Sequence, residues 1–149
     1  MNWSQTEQIA DEDEMVAWGA VVVEHLVEHY AGRALVFLHG QLGAGKTTLV
    51  RGMLQRLGHS GAVKSPTYTL LEPYELETQA VFHFDLYRVN DPDELALVGF
   101  DEVIDGPGIK LIEWPEKAEN WLPPADVEIS IDVLAEPLNT RTVHARSRT

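Results

Sequence analysis

The 149-residue chain contains no cysteine. Disulfide bridges, thiolate metal sites and cysteine nucleophiles are therefore excluded, and any catalysis must use other side chains. Basic residues are scarce as well: 11 Lys and Arg stand against 24 Asp and Glu, for a formal charge of -13. Affinity for nucleic acid depends on Lys and Arg neutralising phosphates, so this deficit argues against tight direct binding to RNA or DNA. No apolar run approaches the roughly 20 residues that cross a bilayer. The opening "MNWSQTEQIADEDEM" has neither the basic nor the apolar segment of a secretion signal. The expectation is a cytoplasmic protein without membrane contact. There is no internal repeat and no low-complexity tract, and the length suits one domain over residues 1–149 with no linker.

What the chain does have is an alternation of helical and strand periods, which predicts an α/β sandwich with helices on both faces of a mostly parallel sheet. Met15, Trp18, Gly19, Val22, Val23, Leu26, Val27 and Tyr30 recur at helical spacing and predict a helix from about Glu12 to Tyr30. His25 and His29, one turn apart with Glu28 between them, have metal-ligand spacing, but a solvated helix face accounts for them as well. "ALVFL", Ala34 to Leu38, is a short apolar run of strand formers, as buried parallel strands are. Leu49, Val50, Met53, Leu54 and Leu57 return to helical spacing, and Gly58 supplies a stop.

Farther along, "TLLEPYEL" reads as an edge strand, because Pro73 cannot donate to a central ladder. "AVFHFDLY" alternates, with Phe82, Phe84 and Leu86 on one face and Val81, His83 and Asp85 on the other. "DPDEL" starts a helix with Asp91 as cap, Pro92 in the first position and Glu94 closing a capping box, and Gly99 ends it. "GIKLIEW" is a further strand, and "PEKAENWL" starts a helix at Pro115. "VEISIDV" alternates strictly and pairs with "RTVHAR" as a hairpin, an antiparallel addition to the sheet. Arg141, Arg146 and Arg148 fall in this last stretch, where a solvated tail or a last strand explains them better than a nucleic-acid contact.

Between the predicted strand "ALVFL" and the helix after it lies "GQLGAGKT", Gly40 to Thr47, which fits G-x-x-x-x-G-K-[ST] at every fixed position. Gly40, Gly43 and Gly45 let the backbone turn tightly and aim N–H groups at phosphate oxygens, and the following helix adds its positive dipole end. Lys46 can reach the β- and γ-phosphates, and the Thr47 hydroxyl can ligate magnesium. A loop of this kind needs an acidic partner at the end of a neighbouring strand. Asp85, after "VFHF", is favoured on pattern alone, and Glu113, after "KLI", is the other candidate. "KSPTYTL", Lys64 to Leu70, carries Ser65, Thr67, Tyr68 and Thr69, hydroxyls suited to sensing a γ-phosphate, although a plain Ser-Pro turn explains it too.

"GQLGAGKTT", "SPTYTL", "HFDLYRV" and "IEWPE", in that order, resemble the TsaE family, the small bacterial ATPases of tRNA threonylcarbamoyladenosine biosynthesis. The resemblance covers about Gly40 to Glu116, and four ordered motifs are far more specific than one phosphate loop. It implies a P-loop fold that binds ATP and Mg2+ through Gly40, Gly43, Ala44, Gly45, Lys46, Thr47 and Thr48. It also implies partnership with the TsaD–TsaB heterodimer, with tRNA reached only through those partners. The family's magnesium-associated acid matches Glu113, so the metal would sit on Thr47 and Glu113. Asp85 matches a separate residue needed for activity, giving Lys46, Asp85 and Glu113 as the catalytic set, and Trp114 matches a functionally important aromatic. Family members commonly carry a Ser or Thr on an opening helix near the nucleotide base; here "ADEDEMVAWG" puts Met15 at that place, with Ser4 and Thr6 upstream.

Two rival functions share the loop. A small-molecule kinase normally closes an arginine-bearing lid over the phosphates, and Arg88 is the one arginine inside a motif. A binding module that holds ATP without hydrolysing it is the second. A GTPase is disfavoured, because neither N-K-x-D nor T-K-x-D occurs.

Overall fold

Seven strands, all in one sheet, carry the described residues, 3–148, of the computed structural model. Residues 1, 2 and 149 of the expected domain lie outside them. In chain order the elements are β1 (Ser4–Ile9), α1 (Glu12–His29), β2 (Arg33–Gly40), α2 (Lys46–Arg56), β3 (Leu71–Glu75), β4 (Ala80–Asp85), α3 (Phe100–Asp105), β5 (Gly108–Glu113), β6 (Val127–Val133) and β7 (Arg141–Ser147). The strand order is β1-β7-β6-β2-β5-β4-β3. β6, β2, β5 and β4 run parallel through the centre, while β3 pairs antiparallel with β4, β7 with β6 and β1 with β7. The expected mixed α/β sheet is what forms.

Parallel strands bury both faces, and the two faces hold separate cores. On one, α1 and α2 pack Met15, Trp18, Val22, Leu26, Leu49 and Met53 against Val36, Leu38, Ile109, Leu111 and Ile129. On the other, Leu95, Phe100, Ile104 and Ala118 cover Leu35, Phe84 and Ile112. α1 begins where the sequence expects it: Asp11 Oδ1 accepts the Glu14 N–H at 2.9 Å, and Glu14 Oε1 accepts the Ala10 N–H at 2.9 Å. α1 and α2 touch through glycine, since a Cβ on Gly52 would lie 2.3 Å from the Val16 carbonyl oxygen.

The expected features that differ are local. "DPDELALV" forms a 3-10 helix over Pro92–Val98, which stops at Gly99 (φ 66) before α3 starts. Asp91 does cap it, accepting from the Asp93 N–H at 3.0 Å, whereas among the described residues no Glu94 side-chain bond closes the box. "PEKAENW" likewise forms a 3-10 helix, broken at Ala118 (φ -132). Proline suits a first helical turn in both places, and both segments tighten into the i→i+3 geometry used for short helical pieces. Strand β1 was not expected at all. Its six residues bury only Ile9, so periodicity carries no signal, and its order comes from the β7 backbone it pairs with. His25 stacks on Trp3 with ring centroids 3.9 Å apart and faces His29 at 4.4 Å, which makes the pair part of an aromatic cluster. No helix among the described residues is long and apolar enough to cross a membrane.

Candidate active site

Parallel sheets bind ligands beyond the carboxyl ends of their strands. Here β2 ends at Gly40 and hands the chain to the glycine loop, while β4 and β5 end side by side, with Asp85 opposite Glu113 in register. The two acidic candidates are therefore neighbours on adjacent strands, and both are buried. Between them and the loop lies a cavity of about 310 Å³, lined by Gly43, Gly45, Lys46, Thr47, Thr48, Ser65, Thr67, Asp85 and Glu113. Gly40 closes the end of β2 below it and Ala44 is packed beneath the loop.

The loop is built to offer donors. Gly43 (φ 79) and Gly45 (φ 113) take left-handed backbone that a side chain would strain, and nothing stands within 4 Å of where a Gly43 Cβ would point. α2 starts at Lys46 with no side-chain cap, and the N–H groups of Gly45, Lys46 and Thr47 meet no backbone acceptor among the described residues. An uncapped helix start with glycine ahead of it is a ready anion site.

Lys46 is nearly buried and held on three sides. Its Nζ donates to the Gly40 carbonyl at 2.5 Å, lies 3.8 Å from Glu113 Oε1, and sits 4.2 Å above the centre of the Trp114 ring. Burial pushes its pKa down, and Glu113, Asp85 and Glu116 oppose that fall. Trp114 is itself in left-handed backbone (φ 58, ψ 50), a conformation that costs a bulky residue of the order of 1–3 kcal/mol. Its ring packs on Tyr87 at 4.9 Å, and Pro115 follows directly. The strain places the indole under the ammonium rather than along the strand.

Asp85 has different company. Its Oδ1 accepts the Tyr87 N–H at 3.0 Å and its Oδ2 accepts the Thr67 hydroxyl at 3.2 Å, with Ser65 Oγ 2.7 Å from Thr67 Oγ1. The "KSPTYTL" loop is thus tied to the site through Thr67, while Tyr68 points outward and stacks against Arg88, 4.6 Å from the guanidinium carbon. Glu113 is coupled instead to Lys46 and to His83, whose Nε2 lies 2.6 Å from Glu113 Oε2.

Sequence reasoning gave no role to two residues here. His83 is fully buried on β4, two positions before Asp85, and the alternation of "VFHFD" already put it on the same face. Arg141 reaches the glycine loop from β7, bonding the Gly43 and Ala44 carbonyls. Nothing local in the sequence signals that contact. Arg146 and Arg148 instead face Glu128 and Asp126 as exposed pairs. Met15 sits beside the loop: a Gly45 Cβ would be 3.3 Å from its methyl carbon.

Among the described residues, no three His, Cys, Asp or Glu side chains converge as a metal cage. Hydroxyl and carboxylate oxygens at one cavity nevertheless fit a magnesium ion, which keeps most of its waters and takes one or two protein oxygens beside substrate phosphates.

Comparison with known proteins supplies a family and a fold relative. Residues 9–143 match the family described as "Threonylcarbamoyl adenosine biosynthesis protein TsaE". A relative of that name from Haemophilus influenzae is 45% identical over 141 residues, covering 94% of this chain and 89% of the relative. One from Treponema pallidum is 38% identical over 119 residues, covering 80% of this chain and 84% of the relative. The crystal structure of Bacillus subtilis YdiB superposes with a TM-score of 0.78 at 25% identity, covering 99% of this chain and 87% of that one. With most of its length matched by that family and by relatives of the same name, the chain belongs to the TsaE family.

Proposed function

We propose that this protein is the ATP-binding and ATP-hydrolysing member of the machinery that forms threonylcarbamoyladenosine in tRNA, working with TsaD and TsaB in the cytoplasm. The observation that carries the reading is the single cavity bounded by the uncapped start of α2, Lys46, Thr47, Asp85 and Glu113. The family's place in this biosynthesis supplies the pathway. A charge of -13 suits a subunit that leaves tRNA contact to its partners.

The geometry supports the following roles. Backbone N–H groups of Gly45, Lys46 and Thr47 cradle the phosphates, and Lys46 exchanges the Gly40 carbonyl for a phosphate oxygen, neutralising charge as the γ-phosphoryl departs. Thr47 and Glu113 are the residues that would hold magnesium, which supplies Lewis-acid neutralisation of the phosphate oxygens when bound. His83 donates to Glu113 Oε2 and fixes the carboxylate, leaving Oε1 toward Lys46. Asp85, held by the Tyr87 N–H and the Thr67 hydroxyl, positions water and links hydrolysis to the 64–70 loop.

The test is to incubate the chain with magnesium and ATP labelled in the γ-phosphate, with and without candidate phosphoryl acceptors. Label released as inorganic phosphate whatever the acceptor supports an ATPase; label carried onto a small molecule would make the protein a kinase, and bound but intact ATP a holding module.

A further inference from the structure

Outside the cavity, the feature that the proposed function leaves unused is Arg141, the first residue of β7. Its Nε donates to the Ala44 carbonyl at 2.9 Å, its Nη2 to the Gly43 carbonyl at 3.3 Å and its Nη1 to the Asn139 carbonyl at 2.7 Å. A loop that turns its N–H groups toward an anion must turn carbonyls away from it, and those carbonyls then need donors of their own. Two successive carbonyls of this loop end on one guanidinium. The planar fork of arginine holds both at a fixed spacing, which a lysine ammonium on a flexible stem does not.

The brace is anchored at its other end as well. Arg141 is in register with Val133 of β6 and Ile9 of β1, so its backbone is pinned from two sides. The side chain also packs closely: a Cβ on Gly45 would stand 3.9 Å from its Nε. Position and charge together put a permanent cation on the outer side of the phosphate loop.

We propose that Arg141 is a positioning residue that holds the Gly43 and Ala44 carbonyls outward, keeping the loop N–H groups converged on the phosphates. This rests on the proposed nucleotide binding. It makes the antiparallel extension β7-β1 part of the phosphate site, although none of its side chains lines the cavity at Lys46.

The experiment measures binding of ADP and of pyrophosphate, each with magnesium, to the full chain as wild type, Arg141→Ala and Arg141→Lys, with thermal melting of each. Losing the two loop bonds is expected to weaken both ligands by the same factor, about tenfold. Arg141→Lys, which keeps the charge without the fork, is expected to fall between alanine and wild type, and it carries the test if Arg141→Ala fails to fold. Loss of ADP binding with pyrophosphate binding unchanged would overturn the proposal, because the effect would then lie at the nucleoside. Wild-type affinity for both ligands in a folded variant would overturn it too. A wild-type chain that bound neither ligand would instead overturn the nucleotide reading on which the brace depends.

Discussion

Replacing Gly52 by Ala should destabilise the protein, against the usual preference. In an exposed helix the change favours folding by about 1 kcal/mol, since glycine loses more backbone freedom. Gly52, however, faces the α1 backbone: a Cβ there would lie 2.3 Å from the Val16 carbonyl oxygen, 2.8 Å from its Cα and 2.9 Å from its carbonyl carbon. All three are backbone atoms, so no side chain can swing aside. Ordinary carbon–oxygen contact begins near about 3.3 Å, so the helices must part by about 1 Å. A gap of that size forfeits a quarter to a half of the dispersion well for each pair it separates, and Trp18, Val22, Leu49 and Met53 lie along the seam. Overpacking of this severity costs about 3 kcal/mol, leaving about 2 kcal/mol net after the propensity gain. For a chain of this size that corresponds to a fall in Tm of about 4–8 °C, read by thermal circular dichroism. Because α2 begins with Lys46, nucleotide affinity should fall with it. A Tm that stayed level or rose would refute the close helix contact, for then propensity alone would be acting.

Lys46→Ala should keep the fold and lose most affinity for magnesium-ATP; undiminished titration binding in a folded variant would contradict the cradle. Glu113→Gln should lower phosphate release by about 10²-fold while ADP still binds, since the backbone donors survive. If instead Asp85→Asn abolished magnesium dependence and Glu113→Gln did not, the two carboxylates would have exchanged roles. On pH, a phosphate contact that needs cationic Lys46 is fully present below the lysine pKa and lost as pH rises through it. Burial lowers that pKa from the 10.5 of a free side chain, so affinity measured over rising pH should begin to fall before 10.5. A profile flat to that value would contradict it.

How much of this was legible in the sequence depended on how far apart the interacting residues lie. "GQLGAGKT" carries its own geometry, because the loop, the glycine turns and the helix start are local, and they formed as expected. The strand "AVFHFDLY" gave the right faces, so His83 beside Asp85 was readable in principle; its bond to Glu113 was not, since it needs β4 and β5 to be neighbours. Pattern favoured Asp85 over Glu113 because a longer apolar run precedes it. The sheet places them as partners in one cavity, Glu113 on the lysine and Asp85 on the 64–70 loop. Arg141 was hidden for the same reason at greater range: 97 residues separate it from Ala44, and only the β6–β7 pairing brings it to the loop. β1 carries too few apolar residues to announce itself, and the proline-led segments at Pro92 and Pro115 tightened into 3-10 turns where helices were expected.

The central claim is that the chain hydrolyses ATP at Lys46, Asp85 and Glu113 as one member of a multi-protein cycle. Among the described residues no arginine lines its cavity and Arg88 is stacked on Tyr68, so a charge supplied in trans, worth on the order of 10³–10⁵ in rate, is left for a partner to add. The direct measurement is steady-state phosphate release with magnesium, for the chain alone and with equimolar TsaD and TsaB. Slow turnover alone that rises when both partners are added is the predicted result; fast turnover alone, unchanged by them, would contradict it.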